Sequence, residues 1–358
     1  MTIKKIAKLA NVSPGTVDRI IHNRGQVSKE NIEKVNAIIK EYGYNKNIFA
    51  SNLVLNKKYK FAVLILQNEK PGYWDAPVVG IRKAEEEFAK FGISIDYFFH
   101  KYDIENFNKI ASDILKLDYD GLVFAPVFEK EAISFLTEYK KRNIPTVLID
   151  INLPQIKGVA YIGQDSYKSG FVAGKLISYG VKQESNVLIL KITGQIEGTT
   201  HKTIFDSQRT KGFYSYFKEN TLLPKFNFTE VSIKDYDKNG LAIEMFTGID
   251  GVFVLNSRVH IIAKFIKEND LKDIRVVGYD LLKPNLEYLN EGTIDFLINQ
   301  KPEEQGFLAI NYLYKKLVVK EHVKDINYTT VEVIIKENYV NTIENNATLA
   351  EPAYLLAE

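Results

Sequence analysis

Apolar residues recur at helical spacing near the start of the chain. From Phe61 they change to short continuous runs separated by longer amphipathic stretches. This change of period divides the chain into a small helical segment and a large α/β body. Ile3, Ile6, Ala7 and Ala10 share one helical face, with Lys4, Lys5 and Lys8 off it. Asn11, Val12 and Ser13 then interrupt the pattern. Ser13 is placed to accept from the free N–H groups of a second helix, and Pro14 to open it, because a fixed φ suits the first helical position. On that helix Val17, Ile20 and Ile21 turn back toward the first, which leaves Gly15, Thr16, Asp18, Arg19 and His22 outward. A third helix follows with Ser28 as N-cap and Val27 placed to staple against Ile32. Ile32, Val35, Ile39 and Tyr42 form its predicted buried stripe, and Gly43 ends it.

In the body, FAVLIL (61–66), ISIDYFF (93–99), GLVFA (121–125) and TVLID (146–150) read as strands buried on both faces, with helices over 78–91 and 129–142. The rhythm repeats in runs beginning at Asn186, Gly251, Ile274 and Ile294, which predicts a second parallel sheet. Two doubly wound lobes place a ligand at the carboxyl ends of their strands, in the cleft between them. The chain is expected to return to the first lobe through a helix over 303–317 and to add a late strand over 331–335. Crossings near Gln164, Gln300 and Lys324 would form a hinge. Lobe 1 is then about 60–163 with 301–323, and lobe 2 about 164–300 with 324–340. The tail, 341–358, has no sustained heptad and reads as a loose extension.

Charge sharpens the division. Residues 1–60 hold twelve Lys and Arg against four Asp and Glu, net +8, so with +2 for the whole chain residues 61–358 carry −6. A basic two-helix segment of this kind predicts phosphate neutralisation, with the second helix in a DNA major groove and Arg19 best placed for bidentate contact to guanine. The chain has no cysteine, which removes disulfides, thiolate catalysis and Cys-based zinc sites and is compatible with a reducing cytosol. No stretch reaches the ~18 apolar residues of a membrane span, so a cytoplasmic protein without a membrane partner is expected. GQIEGTTHKT (194–203) imitates a phosphate-binding loop, but Thr199, Thr200 and His201 separate Gly198 from Lys202, whereas a Walker loop needs glycine directly before its lysine. The five histidines show no paired spacing, and neither a metal nor a cofactor is expected.

The stretch VSPGTVDRIIHNRGQVSKENIEKVNAIIKEYGYN resembles the headpiece of the lac repressor family of bacterial transcription factors. Val12, Ser13, Thr16, Val17, Arg19, Val27, Ser28, Val35, Gly43 and Tyr44 keep the family register, while Asp18, His22 and Lys46 depart from it. The resemblance implies a helix-turn-helix headpiece over 1–46 and a hinge helix and linker over 47–59, with Leu53 inserted into the minor groove, where apolar wedges kink DNA. The DNA-contacting positions it implies are Thr2, Ser13, Pro14, Gly15, Thr16, Asp18, Arg19, His22, Asn23, Arg24, Asn47, Ala50 and Leu53. Residues 60–340 resemble the two-lobed type I periplasmic binding protein fold that this family uses as an effector sensor. By position, the implied ligand-binding residues are Tyr73, Trp74, Asp75, Asp150 and Asn152 from the first lobe. Arg209, opening a helix, Asn256, Asp280 and Gln300 come from the second, with His201 reaching in from the 194–203 loop. Carboxylates, amides and a guanidinium beside aromatic rings suit a sugar or sugar derivative. The expectation is a homodimeric DNA-binding transcriptional regulator, a repressor without catalysis, with double-stranded operator DNA and a small carbohydrate effector as partners. A solute-binding protein without a DNA role is the alternative, and a carbohydrate- or nucleotide-processing enzyme a more distant one.

Overall fold

The apolar face of the first helix closes a small core in the computed structural model, which describes residues 3–21, 25–42, 57–67, 72–181, 183–193, 204–234 and 240–339. Ile6, Ala7 and Ala10 of α1 (Ile3–Ala10) share a buried cluster with Val17 and Ile20 of α2 (Pro14–Ile21) and Val35 of α3 (Lys29–Glu41). Asn11 ends α1 in the left-handed region at φ 52, and the Val12 amide then reaches back to the Ala7 carbonyl at 3.0 Å. Asparagine tolerates that conformation at a helix end. The Ser13 hydroxyl accepts from the Thr16 amide at 3.0 Å, and the Ser28 hydroxyl from that of Asn31 at 3.4 Å; such caps are each worth about 1 kcal/mol. One expectation fails here: Tyr42 is 51 % exposed, and Ile38 joins Ile32 and Ile39 against the core instead.

The chain divides into two compact units, Met1–Lys57 and Lys58–Glu358. The second begins with β1 (Tyr59–Leu66), α4 (Asp75–Phe88), β2 (Ile93–His100), α5 (Ile104–Ile114), β3 (Gly121–Phe124), α6 (Glu129–Tyr139), β4 (Thr146–Ile149) and β5 (Ala160–Gln164). It continues through α7 (Ser166–Ser178), β6 (Ser185–Thr193), α8 (Ile204–Glu219), β7 (Phe226–Lys234), β8 (Gly251–Val254), α9 (Val259–Glu268), β9 (Arg275–Tyr279), α10 (Lys283–Glu291) and β10 (Phe296–Asn299). α11 (Pro302–Leu313), β11 (Ile326–Thr329) and β12 (Glu332–Ile334) complete it. One sheet runs β11-β5-β4-β3-β1-β2 and the other β12-β10-β9-β8-β6-β7. All pairs are parallel except β10 with β12.

The two orders match strand for strand, so the lobes are built alike. Asp150 follows β4 and Asp280 follows β9, both left-handed at φ 64 and φ 68. Their amides bond to equivalent carbonyls, Ile162 at 3.3 Å and Ile298 at 3.1 Å. Each lobe also presses two helices together through glycines. A Cβ on Gly80 of α4 would overlap the Glu303 carbonyl at the start of α11, and one on Gly212 of α8 would overlap that of Tyr167 on α7. These contacts fix how closely the helices of each pair approach.

The structure departs from the predicted strands in three respects. β2 is an edge strand whose Tyr97, Phe98 and Phe99 are only partly buried, not a strand covered on both faces. β5, β7 and β11 were not predicted: the first and last are short, and β7 alternates apolar with polar residues along an edge. Because β11 extends the first sheet, the third passage between lobes falls after Thr329 and not near Lys324. The tail from Asn341 lies outside the described residues.

Candidate functional site

In the headpiece, burial of Val17 and Ile20 leaves Ser13, Pro14, Gly15 and Arg19 exposed at and after the start of α2, with Thr16 and Asp18 partly covered. The Ser13 and Thr16 hydroxyls lie 2.9 Å apart. The amino end of α2 thus presents small polar groups, and Arg19 adds a cation one turn later, a surface suited to phosphate oxygens and base edges. Thr2, His22, Asn23, Arg24, Asn47, Ala50 and Leu53 lie outside the described residues.

In the body, the strand ends of both lobes converge on a buried polar group. Arg209 is fully buried. It sits in the second turn of α8 rather than at its opening, and its guanidinium lies 3.5 Å from the centre of the Tyr279 ring. One terminal nitrogen donates to the Leu255 carbonyl at 2.5 Å and the other to Gln300 Oε1 at 2.6 Å. Gln300 Nε2 in turn donates to Asp280 at 2.9 and 3.1 Å. Gln300 therefore relays Arg209 to Asp280. Burial is the main influence on Asp280, which is raised from 3.8 to about 7 against the opposing pull of Arg209 and Gln300.

Across the cleft, the Tyr73 hydroxyl donates to Asp150 Oδ1 at 2.5 Å. Burial, then Asp150 and Asp280, push that phenol well above its usual 10, so it remains a donor. Trp74 packs edge-on against Tyr73, with ring centres 5.0 Å apart. The lobes are tied beneath this group. Gln305 of α11 accepts from the Asp150 amide at 3.0 Å and donates to the Gln300 carbonyl at 2.9 Å. Gln164 donates to the Asn299 carbonyl at 3.2 Å.

Tyr73, Asp150, Arg209, Asp280 and Gln300 are thus brought together. Two other candidates are committed to the backbone: Asp75 accepts from the Gly72 amide at 2.8 Å, fixing the turn that carries Tyr73 and Trp74, and Asn256 donates to the Ile192 carbonyl at 2.7 Å while accepting from the Arg258 amide at 3.2 Å. Asn152 stands to one side, next to Gln164 and Tyr328. His201 lies outside the described residues, as does the 194–203 loop. Gln305 and Tyr161, whose hydroxyl donates to the Asp150 and Gln164 carbonyls at 2.9 Å, were not predicted. Neither lies just beyond a strand's carboxyl end, the feature that marked Asp150, Asp280 and Gln300. No group of three or more His, Cys, Asp or Glu that could hold a metal occurs among the described residues, and no helix among them is long and apolar enough to cross a membrane.

Two family models account for most of the chain: bacterial regulatory proteins of the lacI family over residues 2–47, and a periplasmic binding protein domain over residues 61–321. The chain belongs to the lacI family of bacterial regulators. Among relatives, the HTH-type transcriptional repressor PurR of Pasteurella multocida is 24 % identical over 347 residues, covering 94 % of this chain and 98 % of the relative. The sucrose operon repressor of Streptococcus mutans is 25 % identical, covering 93 % and 91 %. The crystal structure of a candidate LacI transcriptional regulator from Bacteroides fragilis matches with a TM-score of 0.72 and 28 % identity, over 80 % of this chain and 99 % of that one. This lacI-family protein is a DNA-binding transcriptional regulator with an effector domain for a small molecule.

Proposed function

We propose that the protein is a cytoplasmic repressor that binds a near-palindromic operator as a homodimer and changes its operator affinity when a carbohydrate occupies the cleft. The observation that carries the ligand class is the composition of the buried group. Two carboxyls, an amide, a phenol and a guanidinium from both lobes meet, with Trp74 packed edge-on against the phenol. Such a group matches the neighbouring hydroxyls and the apolar C–H face of a sugar, and a missing hydroxyl would leave a buried partner unsatisfied. The sucrose operon repressor, by its name, is a relative tied to a sugar. Two-fold symmetry of the protein would match that of the operator, and linkage would carry ligand binding into DNA affinity. The mechanism needs no catalytic step.

On this reading Ser13, Pro14, Gly15, Thr16 and Arg19 meet DNA, while Tyr73, Trp74, Asp150, Arg209, Asp280 and Gln300 meet the effector. An electrophoretic shift assay with DNA upstream of the protein's own gene tests the first half. A specific complex lost in Arg19→Ala is expected, and the absence of any specific complex would refute it. Trp74 is the single tryptophan, so titration with sugars followed by its fluorescence tests the second half. The expected result is a saturable change with a carbohydrate that disappears in Trp74→Phe, with binding by calorimetry lost in Arg209→Met.

A further inference from the structure

Beside the buried group lies a cavity of about 210 Å³. The first lobe contributes Asn152, Gln164 and Tyr328 to its walls, and the second Tyr167 and Gln208. Tyr73, Asp150, Arg209 and Asp280 are not among its lining residues, although Asn152 stands two positions after Asp150 and Gln208 one before Arg209. The cavity therefore adjoins the central group without being part of it.

Its chemistry is neutral. The one acid on its wall, Asp165, is already used as the N-cap of α7, accepting from the Lys168 amide at 3.0 Å, with the Lys168 ammonium 3.8 Å away. What remains is a set of primary amides, which both donate and accept, phenol rings, the Ser166 hydroxyl and Pro154. Tyr167 and Tyr328 are 38 % and 55 % exposed, the arrangement of rings that have surface left to cover. Gln164 lines the cavity with its side chain almost wholly covered. It is 1 % exposed, its Nε2 is engaged with the Asn299 carbonyl, and its Oε1 is buried with no hydrogen-bond partner among the described residues. Amides and a hydroxyl beside aromatic faces, without an uncommitted charge, fit one uncharged polyhydroxylated ring and disfavour a phosphorylated one.

We propose that this cavity is a second sugar subsite, so that the effector is a disaccharide or short oligosaccharide with one ring on the central group and the next against Tyr167 and Tyr328. The inference rests on the carbohydrate reading above and adds the length and neutrality of the ligand.

Calorimetry on the full-length protein with matched pairs tests it: glucose and maltose, galactose and lactose, fructose and sucrose, xylose and xylobiose, mannose and mannobiose, arabinose and arabinobiose. In the pair that binds, the disaccharide is expected to be at least tenfold tighter than its monosaccharide. Gln208→Ala and Tyr328→Ala, at partly covered and exposed positions, are each expected to weaken the disaccharide about tenfold and to leave the monosaccharide within twofold. A monosaccharide that binds as tightly as its disaccharide overturns the inference and leaves the carbohydrate reading standing. So do variants that weaken both ligands alike or neither. Binding of no sugar of either length overturns both together.

Discussion

Asp280→Asn isolates the electrostatics of the cleft from its shape. Asparagine is among the few residues that accept the left-handed backbone at φ 68, and its Oδ1 can still receive Gln300 Nε2. The substitution therefore removes a titrating group with little change in packing. In the folded protein that carboxyl titrates at about 7, chiefly because it is buried, against 3.8 for an ordinary aspartate. The folded state thus holds a proton that the unfolded chain releases throughout the interval between those values. Its contribution to stability is largest at acid pH, falls as pH rises through that interval, and is flat above it. The full difference corresponds to about 4 kcal/mol, of which roughly 2.5 kcal/mol is lost between pH 5 and pH 8. Urea unfolding of ligand-free wild type and Asp280→Asn at several values across that window measures this directly. Wild type is expected to lose about that much stability relative to the variant as pH rises, making the variant the more stable protein at pH 8. Parallel pH profiles would show that Asp280 is ionised throughout and that burial does not govern it.

His100 provides the opposite sign. It is fully buried, edge-on to Phe107 with ring centres 5.1 Å apart, and burial holds it below the usual 6.5. The unfolded chain gains its proton first as pH falls below that value, so toward pH 5 wild type should lose stability relative to His100→Phe. Identical acid-side slopes in the two proteins would refute this. Gly212→Ala tests the glycine contact between α7 and α8: the new methyl would meet the Tyr167 carbonyl, which forces the helices apart at a cost of about 1–3 kcal/mol despite the better helix propensity of alanine. An unchanged melting temperature would mean that the helix pair yields freely.

Local rules make much of this molecule legible from its residues alone. The spacing of Ile3, Ile6, Ala7 and Ala10, the Ser13 and Ser28 caps and the left-handed stop at Asn11 act within a turn or two of helix, so neighbouring residues suffice to specify them. Continuous apolar runs mark the central strands, and polar residues placed just beyond them mark Asp150, Asp280 and Gln300. Edge strands are harder because one side faces solvent, which dilutes the hydrophobic signal in β7 and β11 and makes ISIDYFF look more buried than it is. The division of labour among the candidates is not legible at all. Asp75, Asn256 and Asp280 carry similar groups near strand or helix ends, yet the first two bond to nearby or neighbouring backbone while the third is left to Gln300. What separates them is which carbonyls and amides other segments bring within reach.

By itself, then, the sequence determined the periods, the caps and the chemical inventory, because these depend on contacts along one element. Only the tertiary structure decided that Tyr73 meets Asp150, that Gln300 stands between Arg209 and Asp280, and that Gln305 ties one lobe to the other. Those pairs join residues far apart in the chain, and their geometry is set by sheet order, by the crossings between lobes and by two glycine-tight helix pairs, none of which has a period to read.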